Sequence, residues 1–160
     1  FGAARPSSVS VDTVSPQTPA PPDQCPPFFK GAPPFLHFLQ HIEGKSAGQN
    51  LPFSGAAEPD MMIWLRHRDP VLKPSPVALL ALADAPPPGV LAMAASPGAI
   101  STMTWSIDML TDTIETDDGW WLVHVKADSA ADGYTSQTMT VWNAKGVPTM
   151  ISRQHVATFF

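Results

Sequence analysis

Residues 75–89 read SPVALLALADAPPPG, and this stretch decides the fold. Val77 to Ala83 is apolar at every position. A helix that is apolar on all sides is buried on all sides. Ser75 suits an N-cap, and Pro76 suits the first helical position, where its missing N–H costs nothing. Pro86 disfavours helical geometry at Ala85, so the helix should end near Asp84. The expectation is a short apolar helix with Val77, Leu79, Leu80 and Leu82 all buried. Asp84 would then stand at the negative end of the helix dipole, the unfavourable end for an anion. Two readings stay open for it: a turn-former ahead of a proline run, or a carboxylate placed for chemistry.

Upstream, Met61 to Arg68 reads MMIWLRHR, a strand. Ile63, Leu65 and His67 share one face; Trp64, Arg66 and Arg68 share the other. Trp64 and Arg66 are candidates for holding an anionic substrate group such as a phosphate. The competing reading is a solvated edge whose arginine stems cover Trp64. Glu43 to Ala57 is polar and glycine-rich, and is expected to be a loop. Phe35 to Ile42 suits a helical turn or a short strand. His37 and His41 there have the spacing of a metal pair, but no third ligand accompanies them, so no metal site is assigned. Residues 1–34 carry nine of the 19 prolines, which exclude helix and central strand. Cys25 lies among them without a nearby His or second Cys, which argues against a thiol catalyst. The chain thus divides into a proline-rich linker or arm, 1–55, and a folded domain, 56–160.

Downstream come four expected strands: Met103–Thr111, Trp120–Ala127, Tyr134–Trp142 and Val147–Phe159. Asp132-Gly133 and Asn143-Ala144-Lys145-Gly146 supply hairpin turns. In the first strand, Met103, Trp105, Ile107 and Met109 alternate with Thr104, Ser106, Asp108 and Leu110. A strand, one helix without a polar face, then enough sheet to wrap it describes an α+β hotdog fold: a curled antiparallel sheet around one buried central helix. An unrelated α+β roll or a small open barrel would share the element order.

The totals bound the function. The chain has 160 residues, 44% of them apolar and only 14% charged. A surface so poor in charge is expected to be partly covered by another domain or subunit. The net charge of −5 and the absence of a Lys/Arg cluster argue against nucleic acid as a partner. No apolar run is long enough to span a membrane, no signal peptide is evident, and the lone cysteine suits a cytoplasmic home.

Several segments together resemble the acyl-CoA thioesterase II-like family of double hotdog proteins. They are LALAD at 80–84, WSIDML at 105–110, GWWLVH at 119–124, WNAKG at 142–146 and SRQHV at 152–156. The resemblance covers about residues 60–160. It implies that Asp84, Ser106 and Gln154 fall on the family's catalytic Asp, Thr or Ser, and Gln. It further implies hydrolysis of fatty acyl-CoA to free acid and CoA by an activated water, without an acyl-enzyme or a cofactor. No G-x-S-x-G elbow surrounds Ser106, so a serine nucleophile is not supported. The resemblance also implies a second hotdog domain or subunit, and homo-oligomers. Residues 1–6 would be the trailing edge of a preceding hotdog, making this chain the C-terminal half of a longer protein. The competing function is a non-catalytic hotdog half, serving as a structural or acyl-binding module.

Overall fold

The computed structural model describes residues 5–11 and 19–160. Of the expected trailing edge of a preceding domain at residues 1–6, residues 1–4 lie outside them. Six strands follow in chain order: β1 (Ile42–Ser46), β2 (Asp60–His67), β3 (Ala99–Met109), β4 (Trp121–Ala131), β5 (Tyr134–Asn143) and β6 (Pro148–Phe159). They form one antiparallel sheet in the order β1-β2-β4-β5-β6-β3. A single helix, α1 (Pro76–Ala83), packs on its inner face. This is the hotdog arrangement.

The start and stop signals of α1 act as the sequence predicts. Ser75 is extended and its Oγ accepts the Ala78 N–H at 3.2 Å; Pro76 opens the first turn; Asp84 is the C-cap. Burial is one-sided, however. Leu79 and Leu82 are buried against Ile63, Leu65, Trp121 and Val123, but Val77 is 77% exposed and Leu80 only half-buried. The expectation that all four are buried is corrected. Eight residues lying across a sheet can offer it only one face. Val77, Ala81 and Asp84 form the outward stripe, spaced i, i+4, i+7, and nothing in the chain covers them among the described residues.

The sheet also begins earlier than expected. β1 lies inside the segment read as loop and linker. Its inward positions are Ile42, Gly44 and Ser46, two of them too small to register as an apolar alternation. At Gly44 the Phe29 ring packs directly on the backbone; a Cβ there would sit 2.5 Å from it and push the ring aside. The proline-rich arm pairs with this strand, Phe28 N–H donating to Gly44 O at 2.9 Å and Ser46 N–H to Pro26 O at 2.8 Å. The arm therefore closes the β1 edge of the sheet.

The two edges differ. β3 pairs only with β6, and its other edge is open among the described residues. Ile100 and Met103 on this strand are exposed apolar side chains.

Candidate active site

The pairing of β5, β6 and β3 decides which polar side chains meet. Gln137 on β5 lies opposite Gln154 on β6, and Gln154 lies opposite Trp105 on β3. These three occupy the inner face, in line with Met139, Ser152 and Ile107 one step along and Val141, Met150 and Met109 the next. Ser106 is opposite Arg153, whose side chain reaches Thr138 and Asp128 on the outer face. Ser106 is thus on the wrong side of the sheet to meet Gln154.

A β-bulge supplies a different hydroxyl. The β3–β6 register shifts between Thr102 and Thr104, so Thr102 pairs with Val156, a buried inner-face residue. One extra residue reverses the alternation, and bulges re-aim side chains in this way. Thr102 Oγ1 accepts from Gln154 Nε2 at 3.0 Å. Gln154 Oε1 in turn accepts from Gln137 Nε2 at 2.6 Å, and Gln137 Oε1 accepts the Gly89 N–H at 3.0 Å. The chain of hydrogen bonds runs from buried to open: Gln137 is 1% exposed, Gln154 half-buried, Thr102 exposed.

Gly89 opens a short 3-10 turn (Gly89–Ala92) pressed onto β4. A Cβ there would lie 2.5 Å from Pro59 O and 2.9 Å from Ala127 N, so the close approach requires glycine. Five residues before it stands Asp84. Its side chain makes no hydrogen bond or ion pair within the described residues, and partial burial pushes its carboxyl above the ordinary value. The structure therefore does not join Asp84 to Gln154 by a direct bond. It brings Gln154 together with Thr102 and Gln137, neither of which the sequence reading singled out.

Trp64 and Arg66 sit elsewhere, on the outer face. Trp64 is 5% exposed, packs with Cys25, Trp120, Leu122 and Trp142, and donates Nε1–H to Ala20 O at 3.0 Å. Arg66 donates through both Nε and a terminal nitrogen to Glu43 Oε2, at 2.9 and 2.8 Å, and lies 4.5 Å from the centre of the Trp120 ring. The arm covers Trp64, and Glu43 pairs with Arg66. A cavity of about 500 Å³ opens at the other, N-terminal end of α1, lined by Arg66 with Glu43, His67, Arg68, Lys73 and Ser75; none of Asp84, Thr102, Gln137 or Gln154 reaches it. His37 and His41 fall at the two ends of a 3-10 turn (His37–His41), and both are exposed. No cluster of three or more metal-ligating side chains forms among the described residues.

Two adjacent donors result on the inner face near the open edge. Thr102 Oγ1 is already an acceptor, which leaves its hydroxyl proton to give, and Gln154 Nε2 has a second proton. Donors so placed can hold a water molecule or a developing negative charge.

Residues 22–158 match the family described as the acyl-CoA thioesterase C-terminal domain, and the chain belongs to that family. No curated protein sequence matches it. Among solved structures, it is similar to a conserved hotdog-fold protein from Alicyclobacillus acidocaldarius, with 26% identity and a TM-score of 0.85, over 100% of this chain and 60% of that one. It also shares the fold of an acyl-CoA thioesterase II from Mycobacterium marinum, with 18% identity and a TM-score of 0.70, over 98% of this chain and 59% of that one. The chain therefore spans about 60% of the length of these relatives. No helix among the described residues is long and apolar enough to cross a membrane.

Proposed function

We propose that this chain forms the hydrolytic half of an acyl-CoA thioesterase that cleaves fatty acyl-CoA to free acid and CoA. Family membership supports thioester hydrolysis at the level of reaction class. The observation that carries the reading is the Gln154–Thr102 pair, presented on the inner face at 3.0 Å. In this reading Gln154 and Thr102 orient a water by donating to its oxygen. Asp84 takes one of its protons as that oxygen attacks the thioester carbonyl. The tetrahedral intermediate then expels the CoA thiolate, which recovers the proton from Asp84. A raised carboxyl pKa suits this exchange, because it moves the group toward the working pH. Thr102 takes the part that the sequence resemblance assigned to Ser106.

The open β3 edge and the exposed stripe of Val77, Ala81 and Asp84 are then covered by a second hotdog, as a domain of the same protein or another subunit. One observation favours the competing reading, a binding or structural half: Asp84 is not bonded to the Gln154–Thr102 pair. CoA release by the full-length protein over acyl-CoAs of graded chain length separates the two. The enzyme reading expects turnover that falls ~10²–10³-fold in Gln154→Ala with the fold retained. No release at any length, or full activity in that variant, would leave the module reading in front.

A further inference from the structure

We infer that Gln137 is a positioning residue that fixes which end of the Gln154 amide faces the substrate. The inference rests on the thioesterase reading of Gln154 and Thr102. A glutamine amide can turn over, exchanging its oxygen for its nitrogen with little change in shape. A site that depends on the nitrogen needs something to prevent that. Here the anchor is a backbone group that has no alternative. Gly89 N–H can only donate, so Gln137 must turn Oε1 toward it, at 3.0 Å. Gln137 Nε2 is left to face Gln154, which must then present Oε1 inward, at 2.6 Å. Gln154 Nε2 is thereby directed to Thr102, at 3.0 Å, and into the open part of the site. Polarity passes in one direction through two amides, from a fixed donor to the site.

Burial makes the arrangement stringent. Gln137 is 1% exposed, so water cannot substitute for either partner, and a buried amide left unbonded is costly. Gly89 itself packs closely against Pro59 and Ala127, where a Cβ would not fit. Because Gly89 N–H is committed to Gln137, it does not serve as a donor to substrate. Gln154 and Thr102 each keep a proton to give, and the orientation of the Gln154 amide depends on Gln137.

Gln137→Glu tests this in the full-length protein. A carboxylate still accepts the Gly89 N–H but has nothing to donate, so Gln154 must turn Nε2 inward and present oxygen to Thr102. Once protonated, the introduced carboxyl can donate as the native amide does. Neighbouring positions on the packed elements, Ala127 on β4, Gln154 on β6 and Gly89, add no titratable side chain. Lys126, Asp128 and His155 belong to the outer face, and Asp84 titrates in wild type and variant alike. The ratio of variant to wild-type kcat is therefore expected to fall at least ~10-fold at pH 8 and recover as pH drops toward 5.5, with KM nearly unchanged. Gln137→Met, which removes both bonds, is expected to lower kcat without that recovery. A Gln137→Glu ratio that is flat with pH, whether near one or low, overturns the inference.

Nuclear Overhauser contacts of the Gln154 side-chain NH2 supply a readout independent of activity. In wild type they are expected to reach the Thr102 methyl group, and in Gln137→Met to divide between both sides of the amide. Wild-type contacts toward Gln137 instead of Thr102 would overturn the assignment. If Gln154→Ala retains full activity, the thioesterase reading fails. If Gln154→Ala is inactive while Gln137→Glu follows wild type at every pH, only the role of Gln137 fails.

Discussion

Replacing two hydroxyls on one strand distinguishes the bulged β3 from a regular one. Thr102→Val keeps the β-branched shape and removes only the oxygen that Gln154 Nε2 reaches at 3.0 Å. Thr102 is exposed, so water can take up the freed N–H, and the stability loss should fall at the low end of the ~0.5–1.5 kcal/mol typical of one hydrogen bond. Catalysis should lose more. Removing one preorganised donor costs about 10²–10³ in kcat where it acts on developing charge or on the attacking water. Ser106→Ala removes a hydroxyl of the same kind four residues away, but on the outer face opposite Arg153. It is exposed and makes no side-chain hydrogen bond among the described residues, so stability should change by less than about 0.5 kcal/mol and kcat should stay at the wild-type value. Spectrophotometric detection of released CoA thiol, with melting curves on the same samples, reads both. If Ser106→Ala is the damaging change and Thr102→Val is silent, β3 has no bulge at Met103 in solution and the site must be rebuilt around Ser106.

Asp84→Asn should abolish most turnover, by ~10²–10⁴-fold if the carboxylate is the proton acceptor, while slightly raising the melting temperature. The sign follows from linkage: a folded-state pKa above the unfolded one means the native state binds the proton more tightly. Stability is then fully present at acid pH and falls as pH rises through that window. Removal of the charge should abolish this decline, which urea unfolding at pH 4 and pH 7 would detect; a larger decline in the variant would contradict the assignment. On the outer face, Trp64→Ala should cost ~3–5 kcal/mol by emptying the cluster under the arm. It should also release Cys25, whose thiol is held above its ordinary pKa by burial, with the Asp23 charge adding and Lys45 opposing. Native Cys25 should therefore react slowly with thiol reagents at pH 8 and quickly in the variant; equal rates would mean that the arm does not pack there.

Local chemistry determined much of this protein directly. Ser75, Pro76 and Pro86 bound the helix, because capping, a missing N–H and pre-proline sterics act over one to four residues. Asp132-Gly133 makes the β4–β5 turn, both residues at positive φ, and the alternation of Val123, Val125, Met139, Val141 and Met150 identifies the core face. From such elements the hotdog architecture was legible, and Asp84 stood out at the unfavourable end of the helix; Ser106 and Gln154 were pointed to only by the family resemblance. Tertiary structure alone decided the rest. Whether Thr102 or Ser106 faces inward depends on a bulge, and a bulge is set by pairing with β6, some fifty residues away in the chain. Gln137 carries no local sign of its role, since an inward glutamine differs from an outward one only through the strand opposite it. The arm over Trp64 and the pairing of Arg66 with Glu43 come from segments distant in sequence, which no local pattern announces. The exposure of Val77 has the same origin: a run of apolar residues states that a face will avoid water, but only packing states which element, in this chain or another, will cover it.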